Sequence, residues 1–263
     1  CIQKRTMCCI TAPCWAWCCG SVTLVYLLLL PLVYVVAHFA IYPGDFWQPN
    51  VDGCEFLSMP FGKGSVPVIH CQPGNGADRT PVLLFGGNGM NMFSNAYAMQ
   101  RLLPSDTAWD VYSVSYPGMY APRSGWTTEA GCLHTAEALL DFVVQRTAKP
   151  VMVVGWSIGT AVSAGLLSRT DPSYFRCVVL GNPFTNMWEE GIALSWGALA
   201  PWVYVADTWR TEHRVGKITT PMIVLSSTED EVISPTMHRE VYDAAGSQQK
   251  RWIEAAAGHM GIR

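Results

Sequence analysis

Charge is scarce in this 263-residue chain: Asp, Glu, Lys and Arg make up 14% of it, against about 25% in an average soluble protein. From Thr6 to Gly44 none of the four occurs. The formal net charge is -3 and no basic run or stripe is present, so nucleic acid is not an expected partner. No Lys-Ser or Lys-Thr follows the glycine-rich turn Gly86-Gly-Asn-Gly89, which removes a phosphate-binding loop. Neither His nor acid lies among the N-terminal cysteines, and no histidine clusters with Glu229-Asp-Glu231, so neither group reads as a metal site. There is no internal repeat, low-complexity tract or long linker, and the residues beyond the charge-free stretch fit one large domain.

Within that stretch, Ser21 to Tyr42 reads SVTLVYLLLLPLVYVVAHFAIY, long enough to cross a bilayer as a helix. Pro31 is tolerable there, and a buried core helix of that length would normally keep a polar face. A cleaved signal peptide ending near Val35-Val36-Ala37 competes with this, but its apolar region runs only about 7–15 residues. An uncleaved signal anchor over 21–42 is therefore expected. Lys4 and Arg5 precede the span, whereas Asp45, Asp52 and Glu55 follow it. The positive-inside rule then puts the N-terminus in the cytoplasm and the main domain on the lumenal or outer face.

Ten cysteines divide at this span. Cys1, Cys8, Cys9, Cys14, Cys18 and Cys19 crowd the segment 1–20, where juxtamembrane cysteines are common palmitoylation sites. Cys54, Cys71, Cys132 and Cys177 lie in the domain expected over 54–263. In a lumenal setting they could form two disulfides, with three possible pairings; otherwise they are four small buried thiols.

The pattern along the domain alternates. Cys54 to Met59 and Val66 to Cys71, around Pro60-Phe-Gly-Lys-Gly64, read as an antiparallel hairpin. Strands then follow at Val82–Phe85, Asp110–Ser115, Pro150–Val154, Cys177–Leu180, Pro221–Leu225 and Arg251–Ala255. Helical periodicity fills 93–103, 128–146, 160–167 and 235–245. Strands alternating with helices after a hairpin predict an α/β fold with a mostly parallel sheet covered on both faces. Its active site would lie at the carboxyl edge.

At that edge stands Gly155-Trp-Ser-Ile-Gly159, between an apolar run and a helix. A sharp strand-to-helix turn pushes a serine hydroxyl above the sheet, and small neighbours permit the packing. Serine needs a base, and the base needs a third group to hold its tautomer. Two histidines follow the serine beyond the long insertion, His238 on a helix and His259 in the loop Ala257-Gly-His-Met260. His259 is preferred, because a loop after a strand can reach across the sheet edge. Asp230, after the strand ending at Leu225, is the expected acid; Glu229 and Glu231 beside it read as solvated charge. The oxyanion would take the backbone N–H of Ile158 and that of Asn88 in the glycine turn.

The chain resembles the alpha/beta-hydrolases, in particular the membrane-anchored alpha/beta-hydrolase-domain serine hydrolases, over about Glu55 to His259. The resemblance is carried, in the family's order, by Phe85-Gly-Gly-Asn-Gly-Met90, Tyr116-Pro-Gly118, Gly155-Trp-Ser-Ile-Gly159, Ser227-Thr-Glu-Asp-Glu-Val-Ile233 and Gly258-His259. It implies a nucleophile at Ser157, acid at Asp230 and base at His259, acting on an ester, thioester or amide without a cofactor. Gly86 stands where the family usually has histidine, and Ser227 where it usually has glycine. Four residues follow His259 in this sequence, too few for the family's usual closing helix, as in a fragment of a longer chain.

The insertion from Pro183 to Thr219 lies where this fold carries a lid, and its Trp, Leu, Val and Tyr content suits an acyl chain as well as it suits plain packing. The expected substrate is an acyl ester or thioester, with membrane lipid as the other partner. The cysteine cluster is shared with some depalmitoylases of the related family, but a lumenal site would favour lipid or small-ester hydrolysis. An aminopeptidase-like activity is the alternative, with Glu189 or Glu190 to meet a substrate ammonium. A membrane scaffold without turnover is the non-enzymatic one.

Overall fold

A computed structural model describes residues 32, 35, 36, 38, 39, 42, 48–72, 78–102, 108–119, 126–193 and 207–261, without the side chains of 101 and 102. The segment 1–20, most of the anchor expected over 21–42 and the middle of the insertion, 194–206, lie outside the described residues. Among the described residues no helix is long and apolar enough to cross a membrane.

The sheet has eight strands: β1 Cys54–Phe61, β2 Gly64–Cys71, β3 Thr80–Phe85, β4 Trp109–Val114, β5 Val151–Trp156, β6 Phe175–Gly181, β7 Met222–Ser227 and β8 Lys250–Ala255, in the order β1-β2-β4-β3-β5-β6-β7-β8. The β1–β2 and β2–β4 pairings are antiparallel, and all others are parallel. This is the opening hairpin and parallel sheet that the alternating pattern predicts. Among the described residues six helices connect the strands: α1 Met92–Leu102, α2 Glu129–Thr147, α3 Ile158–Leu167, α4 Met187–Ala193, α5 Thr211–Val215 and α6 Pro235–Ala244. Helices α4 and α5 stand at the two ends of the long insertion.

The hairpin differs from expectation in its turn. Gly62 adopts φ +58°, so two residues reverse the chain and β1 runs on through Pro60 to Phe61, paired with Gly64. Pro60 is admissible because β1 is the edge strand. At the open end of the hairpin Cys54 and Cys71 are direct cross-strand partners with Cα atoms 4.2 Å apart, and they form a disulfide. Cys132 and Cys177 are free, so one bridge replaces the two considered from the sequence.

Alternation along β3 shows how the core divides. Leu83 and Phe85 point into the larger cluster, with Leu139, Val162, Leu180 and Val224, whereas Val82 and Leu84 join Met92, Ala96 and Met99 of α1 on the other face. Every residue of α3 is buried, which explains why that helix has no polar stripe in sequence. Strand β5 extends to Trp156, two residues beyond its apolar run, because Gly155 and Trp156 still pair with Leu180 and Gly181 of β6.

Candidate active site at the carboxyl edge

Ser157 directly follows β5 and caps α3 with φ 52° and ψ -122°. A non-glycine residue in such a region carries strain on the order of 1–3 kcal/mol, so the surroundings must impose it. They do. Ser157 N–H donates to Gly181 O at 2.9 Å, and Ser157 O accepts from Thr160 Oγ1 at 2.6 Å. The flanking glycines are sterically required: a Cβ on Gly155 would meet Gly159 O at 2.4 Å, and one on Gly159 would meet Phe85 O at 2.1 Å. β5 and the start of α3 thus approach more closely than any side chain allows, which forces the turn.

The glycine turn after β3 lies against this serine, since a Cβ on Gly87 would sit 3.4 Å from Ser157 Cβ. Asn88, one of the two expected oxyanion donors, is the next residue of that turn, and Ile158, the other, directly follows Ser157. Gly86 is explained by its neighbour: a Cβ there would fall 1.9 Å from Asn95 Oδ1. Asn95 is anchored by Nδ2 donating to Ser113 Oγ at 2.9 Å. An asparagine from α1 therefore fills the space beside this turn, and no larger residue fits at 86.

His259 and Asp230 are brought together, with His259 Nδ1 2.8 Å from Asp230 Oδ2. The Asp230 side chain is fully buried, and its Oδ1 accepts the backbone N–H groups of Val232 at 2.9 Å and Ile233 at 2.8 Å. Burial pushes its pKa up, but these hydrogen bonds, that of His259 foremost, outweigh it and hold the carboxyl below its ordinary value. With Nδ1 engaged, His259 is oriented and its Nε2 is left without a hydrogen bond among the described residues. In particular no hydrogen bond joins Ser157 Oγ to His259; such contacts often tighten only when substrate binds.

Three residues contribute in ways the sequence did not disclose. Glu231, read as solvated, accepts the backbone N–H of His259 through Oε2 at 3.0 Å, which lowers its own pKa. Asn182, wholly buried with φ 49° after β6, donates Nδ2 to His259 O at 2.8 Å and to Ser227 Oγ at 2.9 Å. Its Oδ1 accepts Ser227 N–H at 2.8 Å. The serine at 227 is thus the partner of an asparagine, as the glycine at 86 is. His238, the alternative base, lies on α6 with no exposure; Nδ1 is 2.9 Å from Ser226 Oγ and Nε2 is 3.5 Å from Asp230 Oδ2. It stands behind the acid, away from solvent, and burial pushes its pKa down to about 4. A buried Asn and a His at these positions give no periodic signal, so only contact reveals them.

The two glutamates weighed for an ammonium separate. Glu189 is exposed and accepts from Thr185 Oγ1. Glu190 is 6% exposed, and its Oε2 has no hydrogen-bond partner. Burial, and then the charge of Asp230, push its pKa up to about 7. A cleft of about 490 Å³ lined by Glu129, His134, Glu137, Arg169, Asp207 and Arg214 lies along α2 and includes neither Ser157 nor His259. Among the described residues no group of three or more His, Cys, Asp or Glu could hold a metal ion.

Comparison with known proteins agrees with the fold. A profile described as the alpha/beta hydrolase family matches residues 82–252. The chain is 26% identical over 205 residues to alpha/beta hydrolase domain-containing protein WAV2 of Arabidopsis thaliana, covering 69% of this chain and 64% of that protein. It is 25% identical over 241 residues to the lysophosphatidylserine lipase ABHD12 of Xenopus tropicalis, covering 76% and 61%. The chain therefore spans a little under two thirds of the length of these relatives. Among solved structures, the Pyrococcus furiosus esterase Pf2001 superposes with a TM-score of 0.63 at 11% identity, covering 82% of this chain and 88% of that one.

Proposed function

Because this chain belongs to the alpha/beta hydrolase family, we propose that it is a serine hydrolase that cleaves acyl esters or thioesters through an acyl-enzyme intermediate. The observation that carries this reading is the His259–Asp230 hydrogen bond, on the sheet edge where the strained Ser157 faces the Gly87 turn.

In this reading Ser157 Oγ attacks the substrate carbonyl while His259 Nε2 takes its proton, and Asp230 stabilises the imidazolium that forms. The N–H groups of Ile158 and Asn88 receive the oxyanion, each contributing about 3 kcal/mol to the transition state. As the C–O or C–S bond breaks, His259 returns the proton to the leaving group. Water, deprotonated by the same nitrogen, then releases the acid and restores Ser157. No step calls on a cofactor. The insertion over 183–219 is proposed as the lid, and the run over 21–42 as a membrane anchor with the domain on the lumenal or outer face.

Peptidase action is the second reading, and Glu190 favours it as the buried carboxyl left unpaired near Asp230. Burial and the charge of Asp230 both oppose ionisation of this carboxyl, so holding an ammonium there must first overcome them; ester cleavage remains preferred. The test is a fluorophosphonate probe on the full chain. Wild type is expected to label and Ser157→Ala to stay unlabelled. A folded wild type that does not label refutes the proposal. Rates on acyl esters, palmitoyl thioesters and aminoacyl amides then rank the substrates.

A further inference from the structure

The end of the charge-free N-terminal stretch docks on the edge of the sheet that carries Ser157. Tyr42, 4% exposed, donates its OH to Asp207 Oδ2 at 2.7 Å and accepts from Trp209 Nε1 at 2.9 Å. Both partners belong to the returning end of the long insertion. Asp207 Oδ1 accepts the backbone N–H of Glu129, the first residue of α2, at 2.7 Å. Four residues before Tyr42, buried His38 packs edge-on against Trp126, with ring centroids 4.7 Å apart.

Trp126 stands between β4 and α2, and the path from it to the serine is short. Thr127 Oγ1 donates to Pro117 O at 2.5 Å, Tyr116 OH donates to Gly86 O at 3.2 Å, and Gly87 lies against Ser157. The carboxyl edge, with its candidate nucleophile, and the N-terminal segment therefore share one side of the molecule.

The outward side of that segment is apolar. Leu32, Val36 and Phe39 are 59%, 51% and 50% exposed. They are helical residues at positions i, i+4 and i+7, one stripe of a helix. Trp126, 56% exposed, extends the stripe, its ring 6.1 Å from that of Phe39. Large apolar side chains grouped in this way mark a surface that something else covers.

The composition selects what covers it. A protein interface surrounds its apolar centre with a polar rim. Here the sequence that precedes the patch reads Ser21-Val-Thr-Leu-Val-Tyr-Leu-Leu-Leu-Leu30, and no Asp, Glu, Lys or Arg occurs between Thr6 and Gly44. Tryptophan at the border of such a run is the side chain that the membrane–water interface favours.

We propose that the patch formed by Leu32, Val36, Phe39 and Trp126 is embedded in a lipid bilayer, so that the edge bearing Ser157 faces the membrane and takes acyl esters from it. The orientation stands on the contacts above; only the clause on substrate rests on the reading of Ser157 as nucleophile.

The test places the photo-reactive residue p-benzoylphenylalanine at position 126 of the full chain in phosphatidylcholine vesicles. A control carries it at position 174, where Tyr174 is 44% exposed on the turn that enters β6, at the opposite edge of the sheet. Both sites are exposed, and the replacement keeps an aromatic ring at 126 to meet His38. Irradiation should give lipid adducts at 126 at least about tenfold above those at 174, and equally so when Ser157→Ala is present. Equal lipid labelling at the two positions, no lipid adduct at 126, or adducts there confined to a second copy of the chain would overturn the orientation. For the substrate, a long-chain ester held in vesicles should be cleaved with kcat/KM at least about tenfold above that of a short soluble ester. The reverse preference overturns the substrate clause alone, and lipid adducts without any hydrolysis refute the serine-hydrolase reading but not the orientation.

Discussion

Among the described residues two histidines are hydrogen-bonded to an aspartate, and the two pairs are built for different ends. His70, on β2, has Nδ1 2.8 Å from Glu55 Oε1 and Nε2 2.5 Å from Asp110 Oδ1, and it stacks on Tyr112 with centroids 4.4 Å apart. Both nitrogens are occupied by carboxylates, so both must donate and the ring is held as imidazolium. His259 has only Nδ1 committed, to Asp230. A histidine beside an aspartate is therefore not in itself a base. What distinguishes the second pair is a nitrogen left over, and a serine on the same edge to use it.

Exchange of the two roles by mutation should give the largest contrast. His259→Gln, whose amide can still donate to the buried Asp230, is expected to lower kcat/KM for an acyl ester on the order of 10⁴-fold while shifting the melting temperature little. His70→Ala should do the opposite, keeping turnover per folded molecule but losing on the order of 2 kcal/mol, because Asp110 and the Tyr112 OH that donates to it at 2.9 Å lose their charged partner. Denaturant titration and steady-state rates on the same preparations would separate them. If the two variants lose activity equally, the contrast fails.

Asn182 sharpens the comparison at smaller amplitude, since nothing equivalent tethers His70. Asn182→Ala removes the bonds to His259 O, Ser227 Oγ and Ser227 N–H. A drop in kcat of about 10–100-fold is expected from the misplaced base, with KM little changed. A fall in stability with normal kcat would reduce Asn182 to a packing role.

Opposite pH slopes are the smallest expected effect. Burial opposes the charge on His70, but its bonds to Asp110 and Glu55 outweigh it and raise the pKa. In that case the stability His70 contributes is complete below the ordinary histidine value, near 6.5, and is lost as pH rises through its folded value. His238 runs the other way. Burial holds it neutral down to about 4, so between roughly 6.5 and 4 the unfolded chain binds a proton that the folded one refuses, and stability falls as pH falls. Thermal melts across pH should lose the alkaline slope in His70→Gln and part of the acid slope in His238→Gln. Parallel changes in the two variants would contradict these signs.

The serine at 157 could be found from sequence because its constraint is local: a strand, a glycine-flanked pentapeptide and a helix are contiguous. The order and direction of the strands could be read for the same reason, since buried parallel strands are short apolar runs broken by helices. Asp230 and His259 were legible as the residues after the last two strands. Glu231 was not, because its bond to His259 N–H spans the gap between two loops. Nor was the hairpin's reach, where the conformation of Gly62 overrode the signal of Pro60.

Gly86 and Ser227 show the same boundary most clearly. As letters they are departures from a family pattern; in space each is matched to an asparagine on another element, Asn95 and Asn182. Sequence alone determined the family, the alternation of strands and helices and the strand-to-helix turn at Ser157, because periodicity and turn chemistry act between neighbours in the chain. Tertiary structure alone decided which of four cysteines pair, which histidine bonds Asp230 through Nδ1 and which edge the apolar N-terminal segment meets. Those depend on side chains brought within bonding distance from far apart in the chain, and no local pattern records that distance.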